Sequence, residues 1–148
     1  MYGYLLERIA AALAAAFPHT YLYGDSVRQD FRTPAFFIGV EEVIYGHELG
    51  DRFFADYQVK ISYYEEKGRE ERETSFFQGL HDLAGSMLNA LFYIGSEGPG
   101  LYGKNMRHKI SDGEVLAFYV TYRLYGVPTE TQTEMPVMNE IKISEGVR

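Results

Sequence analysis

The chain has 148 residues, no cysteine and a net charge of −7. That length suits one domain with a substantial core, and the missing thiols exclude disulfides, thiolate metal sites and a cysteine nucleophile, in keeping with a reducing cytoplasm. The acidic balance argues against direct binding of a phosphate backbone, which needs clustered Lys and Arg.

Residues 4–16 read as a first helix. Leu5, Leu6, Ile9, Ala12, Leu13 and Ala16 recur at the spacing of one buried stripe. Pro18 stops it, because the residue before a proline is pushed out of the α region. The apolar run 9–17 is too short to span a membrane and lacks the basic leader of a signal peptide. Residues 20–23 form a short strand, ended by the turn signal Gly24-Asp25-Ser26.

Pro34 opens a strand over 35–45. Phe36, Ile38 and Val40 alternate until Glu41-Glu42 breaks the pattern and Val43 resumes it, which predicts a bulge or a sheet edge near Glu42. The loop 46–51 is a hairpin connection into a long strand over 52–64, so these two strands should pair antiparallel. In the long strand Phe53, Ala55, Tyr57, Val59, Ile61 and Tyr63 point one way, and Asp56, Gln58, Lys60 and Ser62 the other. The mixed charge run 65–73 reads as a solvated connection. A second helix over 71–91 follows, with the stripe Phe76, Leu80, Leu83, Met87 and Leu91, widened by Phe77, Ala84 and Leu88. Gly79 and Gly85 inside it predict close backbone approach to a neighbour, since each costs about 1 kcal/mol relative to alanine.

The glycine-rich loop 95–103 formally contains GxGxxG, but a helix precedes it and a strand follows it at 101–110, so it fails the context of a dinucleotide site. The last strand, 114–125, repeats the alternation. Leu116, Phe118, Val120, Tyr122 and Leu124 share one face, and Ala117, Tyr119, Thr121, Arg123 and Tyr125 the other. The aromatics on that second face point either to a partner surface or to cover by another element of the same chain. Beyond Pro128 the chain is polar and reads as an extended arm or a disordered terminus. Ile141 and Ile143 are spaced as one face of a short strand, suited to strand addition on a neighbour.

Nothing in this order gathers a catalytic constellation. The histidines, His19, His47, His81 and His108, lack the spacing of a metal site. Glu41-Glu42 and Glu65-Glu66 are adjacent, so in strands they point to opposite faces rather than form a dyad. There is no GxSxG, Walker A or HExxH. The expectation is a protein without catalytic, metal or cofactor residues.

Several segments resemble one family. Phe17-Pro18, Tyr23, Val27-Arg28-Gln29-Asp30-Phe31 and Pro34-Ala35-Phe36-Phe37-Ile38 resemble the N-terminal half of tail-terminator (tail-completion) proteins of bacteriophages and PBSX-like prophages. The segment 52–65 resembles that family's central strand, and 112–122 its last. The resemblance covers roughly residues 1–127 and leaves 128–148 as an arm. It implies an α+β fold: an antiparallel-rich sheet of four to five strands with two helices packed on one face. It also implies a homohexameric ring at the head-proximal end of the tail, partnered by tail tube protein and by head–tail connector or neck proteins. DNA would pass through the lumen without specific binding, an arrangement that suits an acidic chain. No membrane, cofactor or metal enters this reading. Candidate interface residues are Tyr63, Tyr119, Arg123 and Tyr125 on the strands, and Ile141 and Ile143 in the arm. Two alternatives stand beside it: another head–tail joining ring such as a neck or stopper protein, and a small α+β ligand-binding or enzymatic domain. Oligomeric mass separates ring from pocket domain.

Overall fold

The computed structural model of the chain describes residues 2–24, 30–65, 73–95, 99–111 and 115–126. The elements run α1 (Tyr2–Ala16), β1 (Tyr21–Gly24), β2 (Ala35–His47), β3 (Phe53–Tyr64), α2 (Glu73–Leu91), β4 (Tyr93–Ile94), β5 (Leu101–Tyr102), β6 (Lys104–Ile110) and β7 (Leu116–Gly126). Five strands form one sheet in the order β1-β2-β3-β7-β6, and β4 and β5 make a separate antiparallel pair. The class is α+β, as expected, but the main sheet is mixed. β1 pairs parallel with β2, Tyr21 opposite Ala35, whereas β6 pairs antiparallel with β7. A parallel pair is joined by a crossover rather than by a tight hairpin, and the turn signal at Gly24-Asp25-Ser26 falls largely outside the described residues.

The chain divides into two compact units, Met1–Ile44 with Ala55–Leu124, and Tyr45–Phe54 with Tyr125–Arg148. The first holds both helices and the core. Leu5, Ile9 and Leu13 of α1 and Phe76, Leu80, Ala84, Met87 and Leu91 of α2 join Ala55, Tyr57, Val59, Ile61 and Tyr63 of β3 and Leu116, Phe118, Val120, Tyr122 and Leu124 of β7 in one apolar cluster. The strand alternation is therefore as anticipated. β3 buries every second residue from Ala55 to Tyr63 and leaves those between only partly covered. In β2, Val40 and Val43 both pack against this cluster although they are three apart. Unbroken alternation would send them to opposite faces, so the phase changes at Glu41-Glu42.

The helix stripes are narrower than their sequence suggests. Ala16, Phe77 and Leu88 are exposed, and Leu83 is only partly buried. Gly79 and Gly85 do not mark close approach: a Cβ at either would meet nothing. A 3.6-residue repeat fixes the centre of the buried face better than its margins, and both glycines lie on the open side of α2.

The C-terminal end of α2 is closed by β7 and the turn before β6. The Tyr122 hydroxyl donates to the Leu91 carbonyl at 2.7 Å, and the Gly103 amide donates to the Phe92 carbonyl at 2.8 Å. These bonds satisfy carbonyls that a helix end leaves without intrahelical donors. Burial pushes the Tyr122 phenol well above its ordinary range, so it stays protonated and donating. Gly103 has to be glycine here, because a Cβ would crowd both the Leu91 carbonyl and the Val120 side chain.

The second unit contains the β2–β3 hairpin tip. The Glu48 amide donates to the Arg52 carbonyl at 2.9 Å, and Gly50 takes a left-handed φ of 67°. Within it Tyr45 packs against Phe53, with ring centroids 6.5 Å apart, and the Arg52 guanidinium lies 5.9 Å from the Tyr125 ring. The expected arm, 128–148, and the expected boundary at 127 lie outside the described residues, as do Val27-Arg28-Gln29 and most of the charge run 65–73.

Two outcomes follow for chemical denaturation. Gly79→Ala and Gly85→Ala should each stabilise the chain by about 0.5–1 kcal/mol, since nothing opposes the gain in helix propensity. Tyr122→Phe should destabilise it by about 1–3 kcal/mol, the cost of a buried carbonyl left without its donor.

Candidate functional site

Both helix stripes enter one core, so the other face of the sheet has no helix on it among the described residues. Alternation alone decides what stands there. In the first unit β3 contributes Asp56, Gln58, Lys60, Ser62 and Tyr64, and β7 contributes Ala117, Tyr119, Thr121 and Arg123. The β6–β7 register sets Lys104 opposite Thr121, Arg107 opposite Tyr119 and Lys109 opposite Ala117, so these three basic residues share that face. The register shifts between Lys104 and Arg107, where Asn105 takes a left-handed φ of 52°. Asparagine is among the few residues that accept this conformation.

The centre of the face is an ion pair between neighbouring strands. Arg123 donates to Asp56 through Nε at 2.7 Å and through an Nη atom at 2.9 Å, a two-bond fork. Lys104 Nζ lies 4.0 Å from the same carboxylate. The Arg123 hydrogen bonds hold the Asp56 carboxyl below its usual range against the opposing effect of desolvation, with Lys104 and the Arg123 charge adding to the depression. Toward β2, Lys60 sits 4.0 Å from Glu41. Toward the β6 edge, the Arg107 guanidinium lies 4.2 Å from the centre of the Tyr119 ring.

At the β1 side the face becomes aromatic. Phe31 stands within 4.9 to 6.2 Å, centroid to centroid, of Tyr23, Phe37 and Tyr64. The Arg32 amide donates to the Tyr23 hydroxyl at 3.0 Å and fixes the loop that carries Phe31. Tyr23, Phe31 and Phe37 thus form a small second core that holds β1 to the sheet from the side without helices.

The sequence-predicted interface residues separate into groups. Tyr63 faces the helices. It is buried, its ring is 5.3 Å from that of Phe36, and its hydroxyl donates to Glu65 at 2.9 Å. Tyr119 and Arg123 stand on the helix-free face, both half-buried. Tyr119 is capped by Arg107 rather than left as a bare aromatic. Tyr125, in the second unit, is 53% exposed. Ile141 and Ile143 lie outside the described residues.

The structure also groups residues that the sequence kept apart. Asp56 meets Arg123 from 67 positions away, with no local signal linking them. His81 of α2 and His108 of β6 come together with Nδ1 and Nε2 3.0 Å apart, also without a spacing clue. Phe92, Tyr93 and Tyr102 stack around β4 and β5 and remain exposed, next to an open groove lined by Ala11, Ala15 and Ala90. No group of three or more His, Asp or Glu side chains is placed to hold a metal ion among the described residues. Among the same residues no helix is long and apolar enough to cross a membrane.

The helix-free face of the first unit is thus built from ion pairs between neighbouring strands and from stacked rings. A family model described as "Phage tail terminator protein" matches residues 5–134, and the chain belongs to that family. It is a structural tail protein and a component of the virion. No curated protein matches it. Among solved structures it is similar to a chain in the virion of a native gene transfer agent (GTA) particle, at 11% identity and a TM-score of 0.44, over 79% of this chain and 90% of that chain. A likeness of that size carries no functional weight.

The ion pair makes stability depend on pH with a definite sign. The Asp56 carboxyl is depressed in the folded state, so its contribution is present above the unfolded carboxylate range near pH 4 and is lost as pH falls through the folded value. Asp56→Asn should cost roughly 1–2 kcal/mol at pH 7, allowing for partial exposure of the partner. The difference between variant and wild type should shrink on acidification. Urea midpoints measured from pH 7 down to pH 3 check this.

Proposed function

We propose that the chain assembles into a hexameric ring at the head-proximal end of the tail tube, where it stops tube polymerisation and presents its far surface to the head connector. The observation that carries this reading is membership of the tail-terminator family across residues 5–134. Two physical features support it. The helix-free face is ordered by internal ion pairs and stacked rings, which suits a rigid contact surface rather than a substrate pocket. The net charge of −7 suits a ring through which DNA slides without being held, because like charge opposes phosphate binding. The role is one of contact and closure, with no catalytic step. Tyr119, Arg123 and Tyr125 contribute to the contacts with neighbours or tube. The arm 128–148 reaches further, and Ile141 and Ile143 add as a short strand to an adjacent subunit or to the tube.

Native mass spectrometry of the chain, alone and mixed with tail tube protein, tests the reading together with electron microscopy of tails made without it. The expected result is a hexamer in isolation or on the tube, and tails of uncontrolled length when the chain is missing. A chain that stays monomeric under both conditions, with tails of normal length in its absence, would sink the proposal.

A further inference from the structure

The helix-free face has a charge opposite to that of the molecule it belongs to. On the three adjacent strands β3, β7 and β6 it carries Lys60, Lys104, Arg107, Lys109 and Arg123 against a single acid, Asp56. Five of the chain's 14 Lys and Arg therefore stand here with one of its 21 Asp and Glu, so the patch is +4 and the remainder of the −7 chain is −11. Counting Glu41, which reaches Lys60 from β2, leaves the patch cationic. Arg107 and Lys109 are exposed, and Lys60 and Lys104 keep more than a third of their side-chain surface open.

We infer that this face docks a second copy of the same chain, and that it does so against a different, acidic surface of that copy. Two such faces brought together about a twofold axis would set cations against cations, which is strongly disfavoured at an interface. The complement comes from outside the patch, where the described residues carry nine Asp and Glu against three Lys and Arg. A contact between unlike patches is heterologous, and it closes into a ring when its rotation allows. The inference thus rests on the ring reading and adds to it the face used and the reason the contact is one-directional.

A protein surface fits this face better than a nucleic acid does. Arg123 and Lys104 are committed to Asp56, Lys60 is close to Glu41, and Arg107 is stacked on Tyr119. Only Lys109 has no such partner among the described residues. The field of the whole chain, at a net −7, repels a long polyanion before it arrives, whereas a neighbouring copy brings its own apolar and polar contacts as well as charge.

The test is charge reversal at the two exposed positions, Arg107→Glu with Lys109→Glu, beside the charge-keeping pair Arg107→Lys with Lys109→Arg. Native mass spectrometry and light scattering read assembly of the chain alone and with tube protein, and thermal unfolding reads the fold. The reversal should weaken self-assembly by more than about tenfold. It should leave the chain folded, lowering the unfolding temperature by no more than the few degrees that one exposed arginine–ring contact carries, and the charge-keeping pair should assemble normally. Wild-type assembly should also weaken as salt rises above about 0.15 M. A reversed variant that still forms wild-type rings overturns this inference and leaves the ring reading intact. So does a variant that self-assembles but loses capture by tube protein, or one that loses only binding to duplex DNA. A wild type that is monomeric even with tube protein removes the ring reading, and this contact with it.

Discussion

A sheet has two faces, and the two helices among the described residues share one core. That constraint organises everything else. β3 alternates strictly, and β7 sends Leu116, Phe118, Val120, Tyr122 and Leu124 to the same side, so that side is core, where Leu5, Ile9, Leu80, Met87 and Leu91 meet Val59, Ile61, Phe118 and Val120. The opposite side carries no helix among the described residues and is stabilised by other contacts. It is held by a fork-like ion pair between Asp56 and Arg123, by an arginine stacked on Tyr119, and by the ring cluster around Phe31. Fixed polar geometry of this kind contributes less to stability than apolar burial does, but it gives the face a defined shape and charge pattern.

The same economy explains the joint between α2 and the sheet. Tyr122 is on the core side of β7, and its hydroxyl reaches the last carbonyl of α2 while its ring fills the core. One residue therefore packs the sheet and closes the helix. Gly103 permits the close approach that this requires. The helix-free face of β7 is left to Tyr119, Thr121 and Arg123, so core and contact surface are two sides of one strand. A substitution that shifted the register of β7 by one residue would exchange the two sets and destroy both.

Much of this was legible in the sequence, for a physical reason. Alternation with a period of two is a strong signal, and it places the core face of both β3 and β7, although in β7 Ala117 and Thr121 on the other face are buried as well. The phase change at Glu41-Glu42 was equally visible, and Val40 and Val43 confirm it. The parallel pairing of β1 was not visible, because four residues carry no information about direction. Phe77, Leu88 and the two glycines of α2 were misplaced because helical periodicity locates the centre of a stripe but not its width. Tyr63, a candidate interface residue, shares the parity of Ile61 and Val59 in β3 and is buried with them. The charge of the helix-free face was hidden for another reason. Its residues come from three strands distant in sequence; the run 104–109 is locally basic by itself and reads as a charge-protected strand edge, and only the register of β6 and β7 joins it to Arg123 and Lys60 on one face.

The account stands on the claim that the helix-free face is covered when the chain is in the virion. Lysine-reactive footprinting, read by mass spectrometry on the isolated chain and on intact particles, tests that claim most directly. Lys60, Lys104 and Lys109 should react readily in the isolated chain and be strongly protected in the particle. Equal reactivity of all three in both states would contradict it and would return this face to ordinary solvent-exposed surface.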